Sequence, residues 1–190
     1  IRNLGRMTAL GVLKPLGSNI NVVTERLTNE TLIKRARIHP FNVLVALYTY
    51  SNGHGARGNL HWSPVPQILD ALEETYMRAF VNAPPTGKKY LLGVDVSGSM
   101  GTPAMGSAIS CSQAAAALAL TIAKTERQYY VMGFDTHFKE LGITANDSFS
   151  SALRKVQSQT FGGTDCAVPM LHASKQKLDV DAFVVLTDGR

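Results

Sequence analysis

The sequence predicts two fold classes in one chain: an array of α-helices over residues 1–83 and an α/β domain over residues 88–190. Apolar residues recur at helical spacing in the first part and form short continuous runs of strand length in the second. The linker 84–87, Pro-Pro-Thr-Gly, separates the two parts, because its prolines end a helix and its glycine permits a turn. Charge divides at nearly the same place, since residues 1–89 carry 11 Lys and Arg against 5 Asp and Glu, whereas residues 90–190 carry 8 against 9.

The first part reads as a succession of helices with short breaks between them. The predicted segments are 4–13, ended by Pro15 and Gly17; 30–37, capped by Asn29; 40–51, started by Pro40; and a last helix started by Ser63-Pro64 and extending to Phe80. Helix after helix without a strand signal is typical of an α-solenoid, and we expect HEAT-like repeats.

The second part alternates strands with helices. The predicted strands are 90–96, 129–134, 138–143 and 182–186, and the predicted helices are 110–124, 148–156 and 165–177. Such alternation implies a mostly parallel, Rossmann-like sheet with helices on both faces. Ligands of these sheets bind beyond the carboxyl ends of the strands.

Composition bounds the class of protein. Hydrophobic residues make up 45% of the chain and charged residues 17%, which excludes long disordered segments. Two cysteines are too few for a disulfide framework and favour a reducing compartment. The chain lacks an initiator methionine and stops directly after an apolar run, so we interpret it as an internal piece, with the second domain truncated at its C-terminal end. The uncharged stretch 96–123 is too interrupted to span a membrane.

Five oxygen-bearing residues fall at predicted strand ends or in adjoining loops. Asp95, Ser97 and Ser99 follow the first strand, Thr164 lies in a Gly-Gly-Thr-Asp turn, and Asp188 follows the last strand. Hydroxyl and carboxylate oxygens with retained water suit Mg²⁺ or Mn²⁺, and such an open site can accept a carboxylate or phosphate oxygen from a partner. The alternative is structural: the serines form a turn and Asp95 caps a helix.

This pattern resembles the metal-ion-dependent adhesion site of von Willebrand factor A domains, which combines Asp-x-Ser-x-Ser, a later threonine and a Thr-Asp pair. The segments Ile1–Ala9, Ala36–Phe41 and Gly53–Gly58, with the Gly-Gly-Thr-Asp-Cys run, are similar to the Ro autoantigen family. These are RNA-binding proteins of Ro ribonucleoprotein particles that carry a TROVE module.

The resemblance implies a ring of helical repeats closed by a von Willebrand factor A domain. It also implies binding of Y RNAs on the outer surface of the ring and of the 3′ ends of misfolded small RNAs through its hole, without a membrane or DNA partner. This chain would supply the last part of the ring, and some RNA contacts would lie upstream of it.

Candidate RNA contacts come from the basic residues of the first part. They are Lys34, Arg35, Arg37, His39, His54 and Arg57. Cationic groups that replace the counterions of phosphates drive backbone binding, and Arg also pairs with single-stranded bases. Alternatively, the Lys34–Arg37 run is a solvated helix face, and His39 is a structural cap before Pro40.

Two sequence motifs of enzymes are incomplete in this chain, because each lacks a required glycine. Lys88 does not end a phosphate-binding loop, because Asn82 occupies the required glycine position. Ser99 does not sit in a nucleophile elbow, because Ser97 stands where glycine is needed. We therefore expect a non-enzymatic RNA-binding protein. The alternative is a protein adhesion or assembly module that grips an acidic side chain of a protein partner through Mg²⁺, although such a module does not need a basic helical half.

Overall fold

The computed structural model describes residues 1, 3–55, 58–104, 109–158 and 163–189. These described residues form eight α-helices, two short 3-10 helices and four β-strands. They separate into two compact units, the first built mainly from Ile1–Pro84 and the second from most of the remainder. The first unit is helical and the second is α/β, which confirms the predicted fold classes.

Five helices make up the first unit. They are α1 (Leu4–Ala9), α2 (Ser18–Thr28), α3 (Glu30–Arg35), α4 (Pro40–Ser51) and α5 (Pro66–Arg78), followed by a 3-10 turn over Ala79–Asn82. Their shared core is aliphatic, and Ile33, Val43 and Leu72 are almost fully buried in it. Asn82 fastens this core, because its Nδ2 donates to the carbonyls of Ile33 and Ile38 at 3.0 Å each.

Several predictions for the helices of this unit were wrong. Helix α2 was not predicted, because its β-branched and Asn residues have low helix propensity, and only Ile20 and Leu27 bury an apolar face. Helix α1 ends at Ala9, since Gly11 adopts a φ of 71°. Helix α5 starts at Pro66, two residues after the predicted Pro64, because Pro66 occupies its first turn.

The second unit contains one four-stranded sheet. Its strands are β1 (Lys89–Asp95), β2 (Gln128–Phe134), β3 (Phe138–Glu140) and β4 (Ala182–Leu186), in the order β3-β2-β1-β4. Strand β1 is parallel to β2 and β4, whereas β3 is antiparallel to β2. Strand β3 is shorter than predicted, because Leu141 and Ile143 leave the sheet edge and pack into the core.

Helices cover both faces of this sheet. They are α6 (Cys111–Thr125), α7 (Phe149–Gln157) and α8 (Val168–Gln176). Helices α6 and α7 share a core with Leu92 and Val94 of β1. Helix α8 approaches the opposite face at Gly93. No helix in the described ranges is both long and apolar enough to cross a bilayer.

Gly93 permits the close contact between β1 and α8. A Cβ at this position would lie 2.6 Å from Cγ of Pro169 and 3.3 Å from Cδ1 of Phe134. We expect Gly93→Ala to lower the free energy of unfolding by about 1–3 kcal/mol, because the added methyl overpacks this contact. Urea denaturation measures the change, with Gly101→Ala as the control, since a Cβ there meets nothing within 4 Å. Equal midpoints for the two variants would contradict this role of Gly93.

Candidate functional site

The end of β1 brings three of the predicted metal ligands together. Asp95 is the last residue of the strand and is fully buried. Its Oδ1 accepts a hydrogen bond from the Ser97 backbone N–H at 2.8 Å. The hydroxyl oxygens of Ser97 and Ser99 lie 3.0 Å apart and share a hydrogen bond. The Asp-x-Ser-x-Ser segment therefore folds back on itself and gathers its three side chains.

Asp188 lies next to this turn because β4 runs parallel to β1. The register pairs Val94 with Leu186, so the residues that follow the two strands are neighbours. Thr187 donates its hydroxyl proton to Oδ2 of Asp95 at 2.7 Å. Asp188 is half-buried, and its Oδ2 atom is enclosed by protein. A fourth predicted ligand thus stands at the same edge of the sheet.

Thr164, the fifth predicted ligand, is exposed on the loop that precedes α8. This loop is attached to the end of β2, because the Asp165 N–H donates to the Asp135 carbonyl at 3.1 Å. Asp135 directly follows Phe134, which pairs with Asp95 in the sheet. No hydrogen bond joins Thr164 to the other four residues within the described ranges, so the structure connects its loop to the adjacent strand end without a hydrogen bond to that set.

The buried Asp95 carboxylate gives this site its electrostatic character. It accepts one backbone N–H and one hydroxyl proton, and among the described residues it forms no ion pair. A buried charge is costly unless it is paired or coordinates a metal, so a cation here would offset the cost. The donor set of hydroxyls and carboxylates fits Mg²⁺ or Mn²⁺. Over the described residues, no group of three or more His, Cys, Asp or Glu forms a different kind of metal site.

Sequence reasoning missed two residues at this edge, Thr187 as a donor to Asp95 and the buried Asp135. Asp135 accepts hydrogen bonds from Lys139 Nζ at 2.8 Å and from the His137 backbone at 2.7 Å. The hydrogen bond from Lys139 holds the pKa of Asp135 below its usual range, although burial opposes it. The criterion that identified Asp95 and Asp188 would also have found Asp135, because it is the first polar residue after an apolar strand.

The predicted RNA contacts begin at the end of α3. Lys34 and Arg35 occupy the last turn of that helix, and Arg37 follows it; all three are exposed. In the described structure none of the three forms an ion pair. Cations at a helix C-terminus also interact favourably with the helix dipole, so Lys34 and Arg35 also stabilise α3.

Arg37 has an unusual backbone conformation, with a φ of 48°. Its N–H donates to the Lys34 carbonyl and the Ile38 N–H donates to the Ile33 carbonyl, which is the Schellman pattern of helix ends. Glycine is the usual residue at this left-handed position, and other residues are strained there by roughly 1–2 kcal/mol. The arginine is therefore present despite a backbone cost.

The remaining candidates have different positions. His39 caps α4, because its Nδ1 accepts the Phe41 N–H at 3.2 Å, as its structural alternative proposed. His54 is exposed and pairs with His61 in an isolated antiparallel bridge, with ring centroids 6.0 Å apart. Arg57 lies outside the described residues. The structure therefore gives His39 a capping role and leaves His54 available on the surface.

Three of the five acidic residues of the helical unit lie on one helix. Asp70, Glu73 and Glu74 all lie on the exposed face of α5. Arg78 is paired there, with Glu74 at 2.5 Å and with Glu30 at 3.3 Å. The basic residues of α1, α2, α3 and the turn after α3 are instead unpaired within the described ranges.

Two family models match this chain, one in each of its two units. Residues 89–190 match the Ro60 vWA domain family, and residues 1–49 match the TROVE domain family. The chain is 47% identical over 192 residues to the RNA-binding protein RO60 of Deinococcus radiodurans, which covers all of this chain and 36% of that protein. It is 39% identical over 189 residues to the RNA-binding protein RO60 of Caenorhabditis elegans, which covers all of this chain and 29% of that protein.

A solved structure agrees with these matches. The crystal structure of the Deinococcus radiodurans RO (RSR) protein superimposes with a TM-score of 0.87 at 47% identity. The match covers 98% of this chain and 38% of that one. The chain therefore spans about a third of the length of the curated relatives that it matches.

Proposed function

Because the chain belongs to the Ro60 family, we propose that it binds RNA without catalysing a reaction, and that its helical unit supplies the binding surface. Both curated relatives described above are named RNA-binding proteins. The basic residues at the end of α3 support the proposal, since they are exposed and lack acidic partners in the described structure. Such cations replace the counterions of RNA phosphates, which is the main source of affinity for a nucleic acid backbone.

The finer identity of the RNA belongs to the same proposal. We propose Y RNAs and misfolded small RNAs as the bound species, within a cytoplasmic and partly nuclear ribonucleoprotein particle. The observation that carries the RNA class is the unpaired cluster of Lys34, Arg35 and Arg37 in a unit whose acidic residues lie mostly on α5. A surface of this kind is typical of polyanion binding.

A divalent cation at the end of β1 is the second part of the proposal. Asp95, Ser97, Ser99, Thr164 and Asp188 are the residues that would hold Mg²⁺ or Mn²⁺. The buried, unpaired Asp95 carboxylate supports this assignment. When bound, such an ion offers positive charge and an open coordination position for an oxygen ligand.

The same residues support a second candidate function. A metal held largely by neutral hydroxyls can take a carboxylate from a partner protein, so an adhesion or assembly role would use the Asp95 set. This role and RNA binding use different units, and one protein can perform both. Loss of the metal without loss of RNA affinity would show that the two sites act independently.

Salt dependence tests RNA binding directly. We expect the affinity for a structured small RNA, measured by fluorescence anisotropy, to fall linearly in a plot of log K against log salt concentration, because each neutralised phosphate releases counterions. Binding that is insensitive to salt would contradict the proposed role of the basic cluster. Absence of any RNA binding at low salt would contradict the function itself.

A further inference from the structure

A groove of about 770 Å³ opens on the helical unit beside the basic cluster. It is bounded by α1, the turn after α3, one face of α4 and the segment that leads to Trp62. Its volume lies within the range of about 300–1,000 Å³ that is typical of small-molecule sites. The groove is therefore large enough for one nucleotide.

Two arginines line the groove. Arg6 extends from α1, and Arg37 comes from the turn after α3. Both are exposed, and neither forms an ion pair or hydrogen bond through its side chain in the part of the chain that the structure describes. Two unpaired cations around one groove favour an anionic occupant.

The face of α4 inside the groove is polar at its ends and apolar between them. Asn42, Val45, Ala46 and Thr49 recur at helical spacing and line this face. The Asn42 amide makes no hydrogen bond with the described residues, whereas Thr49 donates to the Val45 carbonyl and can still accept. An amide and a hydroxyl that flank an apolar surface suit the flat ring and polar edges of a nucleobase.

The end of the groove is a fixed wall. Trp62 donates its indole N–H to the Tyr50 carbonyl at 2.9 Å, and the two rings stack with centroids 6.1 Å apart. On another side, a Cβ at Gly5 would lie within 2.7 Å of the Trp62 ring, so α1 is packed directly against it. The groove thus has a preformed boundary.

We propose that this groove receives an unstacked nucleotide of single-stranded RNA, with the base against α4 and its flanking phosphates at Arg6 and Arg37. The inference rests on the proposed RNA binding and assigns one subsite to it. The strained backbone of Arg37 supports it independently, because a residue that is held in an unfavourable conformation often serves a site. Charge complementarity favours RNA over an apolar helix, and the free Asn42 amide favours a base over an acidic peptide.

Arg37→Gly separates binding from folding. Glycine tolerates the left-handed backbone, so we expect the melting temperature to stay the same or to rise by up to about 2–4 °C. Affinity for short single-stranded oligouridylate should fall about fivefold, because one phosphate contact is lost. A lower melting temperature would overturn the claim of backbone strain.

Lys177→Gly is the matched control, because Lys177 has a φ of 51° at the end of α8 and also carries an exposed charge. It should change the melting temperature in the same direction and leave the affinity for oligouridylate unchanged. An equal loss of affinity in the two variants would overturn the role of Arg37 in the groove.

A bulky side chain in the groove tests whether a nucleotide binds there. Ala46→Phe adds bulk to the half-buried floor without changing charge, and it should weaken binding of oligouridylate while leaving binding of a fully paired RNA hairpin intact. Oligomers that contain 4-thiouridine should crosslink to the groove residues. Crosslinks confined to other surfaces, unchanged affinity in Ala46→Phe, or equal competition by polyglutamate would overturn the subsite and leave the proposed RNA binding standing. Failure of the unmodified protein to bind any RNA would instead remove the proposed function.

Discussion

Replacing Lys34, Arg35 and Arg37 together by glutamine is expected to weaken binding of a structured small RNA by about 100-fold near physiological salt. Each cation that neutralises one phosphate contributes about fivefold under these conditions, from the release of condensed counterions. All three side chains are exposed and unpaired within the described residues, so their charge is available to a ligand. The slope of log K against log salt concentration should become shallower by about 2–3.

The control for this experiment carries the same change of charge on the other unit. Arg154, Lys175 and Lys177 are also exposed, and their side chains form no ion pair in the described ranges. Their triple glutamine variant should retain RNA affinity and the salt slope of the unmodified protein. If both triple variants lose affinity equally, only net charge matters and the cluster assignment fails. Unchanged affinity in the first variant would also refute it.

Thermal unfolding must accompany the binding measurement, because two of the three residues stand at the C-terminus of α3. Favourable interaction of a cation with the helix dipole is worth about 0.3–1 kcal/mol, so a small loss of stability is expected from Lys34 and Arg35. Arg37 is beyond the helix and strained, so its replacement should not add to that loss. RNA affinity that falls in proportion to stability alone would favour the structural interpretation.

The sequence predicted the fold where local signals agree with tertiary packing. Pro40, Asn29 and the Ser148 cap of α7 mark helix starts that the structure confirms, because capping is a property of adjacent residues. Helix α2 was not predicted, because its stability comes from Ile20 and Leu27. These two side chains are buried in a core formed with helices that are distant in the sequence. Tertiary contacts here override weak local propensity.

The same difference between local signals and tertiary contacts applies to the candidate sites. The turn from Asp95 to Ser99 is local, so the Asp-x-Ser-x-Ser spacing was enough to name its three polar residues as candidate ligands, although the 3-10 turn that brings them together was not predicted. Thr187 was not recognised as the donor to Asp95, because that contact requires the register between β1 and β4. The groove at Arg6 and Arg37 could not be predicted, since it depends on the packing of α1 beside α4 and on a positive φ at a residue other than glycine.

The metal site leads to a prediction of comparable size. In Asp95→Asn, Mg²⁺ and Mn²⁺ are expected to lose their stabilising effect completely, because the variant lacks the buried carboxylate that favours a cation. The unmodified protein should instead gain about 2.7 kcal/mol when the free metal is at 100 times its dissociation constant, by linkage. Melting temperatures recorded across a metal titration measure this difference, and calorimetry measures binding itself.

Asparagine is the informative replacement because it preserves the shape of Asp95 and an oxygen that can accept the Ser97 N–H. Removal of an unpaired buried charge should also make the metal-free variant at least as stable as the metal-free unmodified protein. Glu140→Gln removes an equal charge from the exposed edge strand β3 and should retain the full metal response. Metal stabilisation that persists in Asp95→Asn would show that the ion binds elsewhere. A metal-free variant less stable than the unmodified protein would contradict this expectation, and it would mean that the hydrogen bonds from the Ser97 N–H and the Thr187 hydroxyl compensate the Asp95 charge without a metal.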